Sequence, residues 1–304
     1  MVSMRHIAAP LGLVAAATLG LIALTASQPA TPELFAPGVI SKPDTYESFG
    51  SLSPDGREFY FTAHQPNFSQ HHIVVSRLID GRWSTPEPTP FSTTWNDREP
   101  KLSPDGRRLY FSSNRPTDAG SQPGKLDLFM TERVAGGPWG PAERLPAPIN
   151  TDVHEFCPVV IADGTLYFIS ARPGGIRGTE PTEIYNVWRA PALDKSGLRF
   201  GTPVNLGKGI NTGLETNVYV TPDDRTMVVS RDGAKDGLGG DDLYVSTRAA
   251  NGWAPLRHLP APINSDKYEY GPSLTPDGKW LIFTSARAGT ADIYRVAATA
   301  LSQK

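Results

Sequence analysis

Ser103-Pro104-Asp105-Gly106-Arg107-Arg108-Leu109-Tyr110-Phe111-Ser112-Ser113 decides the fold of this chain. Pro presets φ and Gly accepts φ > 0, so Pro-Asp-Gly before an apolar run is a tight hairpin turn. The Leu-Tyr-Phe run that follows reads as a buried strand. Ser53-Pro54-Asp55-Gly56 and Thr275-Pro276-Asp277-Gly278 repeat the turn, and Ile161-Ala162-Asp163-Gly164 and Thr221-Pro222-Asp223-Asp224 are degenerate copies. Their apolar runs are Phe59-Tyr60-Phe61, Leu281-Ile282-Phe283, Leu166-Tyr167-Phe168 and Met227-Val228-Val229.

Outward from each turn the same parts recur. A third strand follows in every copy: Ile73-Val74-Val75, Leu128-Phe129-Met130, Ile184-Tyr185-Asn186-Val187, Leu243-Tyr244-Val245 and Ile293-Tyr294-Arg295-Val296. Next comes a Gly/Trp turn, as in Gly81-Arg82-Trp83, Gly137-Pro138-Trp139 and Asn251-Gly252-Trp253, and then a short link to Ile149-Asn150, Ile210-Asn211 or Ile263-Asn264. Four antiparallel strands per roughly 55 residues, without helical periodicity, make a β-propeller blade. One blade cannot bury both faces, so blades stack around an axis. Five copies predict an all-β, five-bladed propeller. A six-bladed ring, the alternative, needs a further copy that the sequence does not offer. The fifth copy stops after its third strand, and residues 33–40 resemble residues 143–149. This N-terminal segment is expected to supply the missing outer strand and close the ring, which removes two unpaired edges.

Composition sets outer limits. Twenty-nine Gly and 29 Pro in 304 residues exceed the roughly 12% of ordinary usage, and the turns account for much of the excess. The single Cys157 excludes a disulfide framework and every multi-Cys metal site. Twenty-nine Lys and Arg against 31 Asp and Glu give no basic face for nucleic acid. Arg5 and His6 precede an apolar run over residues 7–24, followed by Thr25-Ala26-Ser27. This is the pattern of a secretory signal cleaved after Ser27, with an uncleaved anchor as the alternative. The expected organisation is a signal at 1–27, a linker at 28–32, the propeller at 33–298 and a tail at 299–304. No later stretch is apolar enough to span a bilayer.

The Ser/Thr-Pro-Asp-Gly-x-x-Leu-Tyr-Phe-x-Ser units resemble the WD40-like propeller repeats of TolB-like exported bacterial proteins. The resemblance covers about residues 42–298 in five copies, and the Gly-His and Trp-Asp signatures of true WD40 repeats are missing. It implies a periplasmic or secreted propeller, commonly a protein-binding scaffold. It implies no single catalytic motif, because one fold hosts unrelated functions.

Strand direction alternates, so the start of the first strand, the end of the second and the start of the third share one face. There each copy opens with a carboxylate: Glu47, Asp97, Glu155, Glu215 and Glu269. Arg115, Arg172, Arg231 and Arg287 follow the second strand, and Asp127, Glu183, Asp242 and Asp292 open the third. An arginine between carboxylates suits a structural ion-pair ring. Five symmetric carboxylates also satisfy any search for a glycosidase pair, so such a match carries little.

Departures from the repeat tell more. Copy one has no arginine at the matching place and reads His64-Gln65-Pro66-Asn67-Phe68-Ser69-Gln70-His71-His72. His154 falls on the same face. Histidine serves as metal ligand or general base, so His64, His72 and Asp97 are catalytic candidates beside the reading of an ordinary polar loop. Trp95, Arg98, Tyr268 and Tyr270, with His64, His71, His72 and His154, are candidates for binding. Asp232, Asp236 and Asp241 lie in a Gly-rich loop that offers oxygen ligands for calcium, although a flexible turn is the default and no cofactor is expected. His-Glu-x-x-His, Gly-x-Ser-x-Gly and Gly-x-x-x-x-Gly-Lys motifs are absent. The leading expectation is therefore a monomeric, non-catalytic scaffold binding a protein, peptide or envelope glycan. The alternative is a hydrolase or lyase acting on carbohydrate or ester through the His-rich loop in an axial funnel.

Overall fold

The computed structural model describes residues 31–64, 70–116, 124–134, 136–176 and 184–302. The expected signal and Glu183 lie outside the described residues. Five antiparallel sheets ring an axis. Blade one is Tyr46–Leu52, Glu58–His64 and His71–Ile79, edged by Arg82–Trp83 and Glu87–Pro88. Blade two is Asp97–Leu102, Arg108–Ser113, Asp127–Glu132 and Glu143–Arg144. Blade three is Glu155–Val160, Leu166–Ser170, Asn186–Ala190 and Val204–Asn205. Blade four is Glu215–Val220, Thr226–Asp232 and Asp241–Ala249, edged by Gly252–Trp253 and Arg257–His258. Blade five is Glu269–Leu274, Trp280–Ser285 and Asp292–Ala297.

Blade five is completed by Glu33–Leu34, with Glu33 opposite Arg295 and Leu34 opposite Tyr294. The ring is five-bladed and closed by the N-terminal strand, as the repeat count predicts. Phe35 N–H donates to Ile293 O at 2.8 Å, and Arg295 Nε donates to Glu33 Oε1 at 2.8 Å. Past the last strand, Ala298–Ser302 form a short 3-10 helix with Ala300 buried. Ala300 and Leu301 of this segment pack on blades four and five.

The turn residues work as their chemistry requires. Ser53, Ser103 and Thr275 hydroxyls each donate to the Asp two residues on, at 2.6 Å. Gly56, Gly106 and Gly278 hold φ of 69°, 69° and 68°, where a Cβ is unfavourable. The Ile-Asn links have an equally local reason. Asn150, Asn211 and Asn264 each accept a third-strand amide, from Leu128, Val187 and Leu243, at 2.8 Å.

The core lies between adjacent blades. Tyr110, Leu128 and Met130 of blade two meet Leu166, Phe168 and Trp188 of blade three. Val228 and Leu243 of blade four meet Leu281, Phe283 and Tyr294 of blade five. Each fully buried large apolar side chain stabilises by about 2 kcal/mol.

Every inner strand carries a register shift, at Ser48/Ser51, Arg98/Lys101, Phe156/Val159, Glu215/Asn217 and Tyr270/Ser273. Phe49, Glu99, Cys157 and Gly271 sit there at φ of 59°, 62°, 52° and 60°. A bulge re-aims a side chain and is costly for non-glycine residues. Here it turns side chains toward the axis. Lys101 then plugs the axis: its ammonium donates to Pro272 O at 3.0 Å and lies 5.6 Å from the Tyr219 ring centre. One cavity, of about 310 Å³ and lined by Lys101, Val159 and Tyr219, opens on the Asp-Gly face. The other opens on the opposite, loop-rich face.

Candidate functional site: an axial cavity built from all five blades

The loop-face cavity measures about 370 Å³ and receives side chains from every blade. Blade one gives Phe49, His64 and His71; blade two gives Arg98 and Glu99. Phe156 and Tyr185 come from blade three, Thr216, Asn217 and Asp241 from blade four, and Tyr270 from blade five. Its walls are aromatic. Tyr270 meets Phe49 edge-on at 5.4 Å, and Tyr185 meets Phe156 edge-on at 5.0 Å.

Two carboxyl groups face this space. Glu99 is nearly buried, and its Oε2 accepts from Ser112 Oγ at 2.5 Å and from Cys157 N–H at 2.8 Å. Arg98 Nε stands 3.3 Å from Glu99 Oε1. Asp241 opens the third strand of blade four and accepts from Thr216 Oγ1 at 2.6 Å. Burial pushes its carboxyl up to about 7, and the charges of Asp232 and Asp242 add to the push. Such a group holds its proton near neutral pH, as a general acid must.

The two histidines are neutral at pH 7. Burial pulls His64 down to about 3, with His71 and Arg98 acting the same way. Burial pulls His71 down to about 4, with Arg98 the next cause. His64 Nε2 is 2.6 Å from Ser48 Oγ. Neither ring nitrogen of His71 has a hydrogen-bond partner among the described residues, which leaves a donor and an acceptor for a bound hydroxylated ligand. Cys157 is buried and its thiol is pushed well up by desolvation and then by Glu99, so it is no nucleophile.

The structure sorts the candidates read from sequence. His64, His71, Arg98 and Tyr270 come together at the axis. His72 does not: it lines a neighbouring crevice that has only His64 in common with the axial cavity, with Nδ1 3.0 Å from Thr93 O. His154 Nδ1 accepts the Leu126 amide at 3.0 Å, and Tyr268 is 52% exposed. Those two and Trp95 are not among the residues lining the axial cavity. Asp97 is fully buried and bound to Arg115 at 2.7 Å and Ser113 at 2.6 Å, so it does not reach the histidines.

Three of the other four blade-opening carboxylates are held the same way, while Glu47, expected in the same ion-pair ring, has no arginine partner among the described residues. Glu155 meets Arg172 at 3.2 Å, Glu215 meets Arg231 at 3.3 Å and Glu269 meets Arg287 at 3.3 Å. The third-strand carboxylates lie outside these pairs. Asp127 binds Arg144 at 2.6 Å, Asp242 is 3.5 Å from His258, and Asp292 accepts from Thr290 at 2.7 Å.

The calcium reading of the Gly-rich loop also changes. Asp236 accepts from the Tyr244 hydroxyl at 2.8 Å, Asp232 is exposed, and Asp241 turns to the axial cavity. Asp242 instead closes the loop, accepting the Leu238 amide at 2.5 Å. A Cβ at Gly239 would fall 1.9 Å from Lys267 O, so packing is the reason for glycine. Among the described residues no group of three or more His, Cys, Asp or Glu side chains is placed to hold a metal ion.

Glu99 and Asp241 were not read from sequence as a pair. A signal for Glu99 existed. The bulge position holds Phe49, Cys157, Asn217 and Gly271 in the other copies, and only copy two places a charge there.

These features define a five-bladed β-propeller with a polar axial cavity on its loop-rich face. Comparison with known proteins agrees with that class. No family model matches the chain, and no curated protein matches it. Among solved structures it is similar to an alpha-L-arabinofuranosidase from Lactobacillus brevis, at 15% identity and TM-score 0.53, over 85% of this chain and 92% of that one. It is similar also to a GH43 endo-arabinanase from Bacillus licheniformis, at 16% identity and TM-score 0.51, over 85% and 96%. It aligns with the tricorn protease at 9% identity and TM-score 0.47, and spans 25% of that chain. At such identities the likeness is one of fold. The non-catalytic scaffold expected from sequence is nonetheless corrected, because the propellers matched over nearly their whole length are an alpha-L-arabinofuranosidase and an endo-arabinanase. That expectation rested on missing contiguous motifs. An axial site assembled from separate blades has none to show.

Proposed function

We propose that the protein is a carbohydrate-directed hydrolase acting in the axial cavity. Asp241 donates a proton to the departing glycosidic oxygen. Glu99 is the second carboxylate, acting on water or on the sugar carbon as the separation of the two groups dictates. The Tyr270, Phe49, Phe156 and Tyr185 rings form apolar platforms for a sugar, and His64 and His71 offer neutral hydrogen-bonding groups. The observation that carries this reading is Asp241, a carboxyl held near 7 by burial in a cavity that also holds Glu99. The full-length propeller hydrolases support it by analogy of fold, and arabinan is accordingly the first substrate to try.

The kinship of the repeats with exported TolB-like, WD40-like propellers belongs to the same proposal, and so does a periplasmic or secreted location. Both rest on the Ser/Thr-Pro-Asp-Gly units and residues 1–27. Among the described residues no helix is long and apolar enough to cross a membrane.

The test is reducing-sugar release from arabinan and from a panel of other glycans and aryl glycosides. Wild type is expected to turn over at least one, and Asp241→Asn and Glu99→Gln to lose about 10²-fold or more in kcat. Absence of turnover across the panel, or full activity in both variants, removes the reading.

A further inference from the structure

The repeat leaves one seat without its occupant. In blades two to five an arginine guanidinium rests on the blade-opening carboxylate. Two more contacts define that seat in blades two, three and five, and a third recurs in all four; in blade four Arg231 lies over Tyr244 of the third strand instead. The serine paired across the strand donates to the same carboxylate: Ser113 to Asp97 at 2.6 Å, Ser170 to Glu155 at 3.0 Å and Ser285 to Glu269 at 2.6 Å. The guanidinium lies over a second-strand ring, 5.1 Å from Phe111, 4.7 Å from Phe168 and 5.6 Å from Phe283. It also donates to a link carbonyl, that of Phe91, Ile149, Ile210 or Ile263, at 3.2, 2.5, 2.8 and 2.5 Å.

Blade one keeps the seat and lacks the arginine. Glu47, Phe61 and Ile40 hold the carboxylate, ring and link positions, and all three line a cavity of about 640 Å³. Register puts Ala63 opposite Glu47, where copies two, three and five have serine and copy four has Arg231 itself. Glu47 is 4% exposed, Thr45 donates to its Oε1, and its Oε2 has no hydrogen-bond partner among the described residues. Lys42 lines the same cavity but makes no ion pair with Glu47 among the described residues. A buried carboxylate oxygen without a partner is costly, and the fold tolerates it beside a cavity large enough for a small molecule.

We propose that this cavity binds an alkylguanidinium ligand, whose guanidinium takes the seat filled by Arg115, Arg172, Arg231 and Arg287 in the other blades. Its planar fork would pair with Glu47, stack on Phe61 and donate to the Ile40 carbonyl. The alkyl part would lie against Val39, Val74 and Pro88. The proposal does not rest on the hydrolase reading, because the axial carboxyls take no part in it.

The experiment is calorimetric titration of the purified protein with methylguanidine and with L-arginine amide, and with methylammonium for comparison. Saturable one-to-one binding of the two guanidines is expected, tighter than that of methylammonium. Glu47→Gln is expected to weaken it at least tenfold. Gln65 lies outside the described residues, but it is the chain position at which copies two, three and five carry arginine. Gln65→Arg is therefore expected to abolish binding and raise the melting temperature. Burial raises Glu47 to about 7 against the Thr45 hydrogen bond, with Asp292 adding to the rise and Lys42 opposing it, and His64 and His72 share the wall. Binding should accordingly strengthen from pH 6 to 8 and release a proton at the lower pH. No saturation by ~10 mM, or equal binding by folded Glu47→Gln protein, overturns the proposal.

Discussion

The imidazole of His71 stands edge-on to that of His64, with ring centres 4.4 Å apart, at the mouth of the axis. Protonating either ring places a charge in a buried site that already holds Arg98. Both folded-state values lie below the ordinary 6.5, at about 3 and about 4. The unfolded chain therefore binds more protons through that window, and stability falls as pH drops from 6.5 toward 3. His64→Gln and His71→Gln are expected to flatten the acid limb of a melting-temperature profile. An unchanged limb in both would show that other groups govern acid unfolding.

Asp241 behaves with the opposite sign. Its folded value, about 7, lies above the ordinary 3.8, so the folded chain holds the extra proton between those values and stability falls as pH rises through them. Asp241→Asn should thus stabilise the protein at pH 8, by on the order of 1–2 kcal/mol, and have little effect at pH 4. The same titration should make glycan hydrolysis decline above about pH 7. Denaturant unfolding at both pH values, beside a pH-rate profile, checks the two together.

Arg172 and Glu155 form the most enclosed of the blade pairs, with side chains 8% and 0% exposed. Arg172→Met strands a buried carboxylate and should lower stability by about 3–5 kcal/mol. Adding Glu155→Gln should recover part of that loss. A double-mutant cycle with no coupling would mean that each side chain acts through its other contacts.

Ring closure separates a strong effect from a weak one. Glu33 and Arg295 are each more than a third exposed, so Glu33→Ala should change stability by less than about 1 kcal/mol. Removing residues 33–41 also strips Phe35 and Ile40 from the core between blades five and one. That deletion should lower stability by about 5 kcal/mol or more. Thermal melts of the two forms distinguish the pair from the strand.

The fold was legible because Pro-Asp-Gly turns and Leu-Tyr-Phe strands report local conformation, and local conformation repeated five times leaves one architecture. The site was legible only in part. His71 and His72 are chain neighbours, so a strand sends them to opposite faces. Register pairs His71 with His64 and His72 with Ala63, and no pattern in the His-rich loop announces which of the two turns to the axis. Asp241 was read with Asp232 and Asp236 because they share a loop, while Thr216 and Glu99, which line the same cavity, arrive from other strands. Glu99 reaches the cavity through a bulge, a backbone irregularity that leaves no mark in residue spacing.

The pairing of Glu33–Leu34 with Asp292–Ala297 has a consequence in time. The first strand of the ring and its partner stand at opposite ends of the chain, so the earliest-made strand must wait until blade five exists. Blades one to four can form hairpin by hairpin from near contacts, but the final seam demands the longest loop closure in the molecule. A chain interrupted before residue 292 keeps both ends of its arc open, and only the complete chain can lock its own seam.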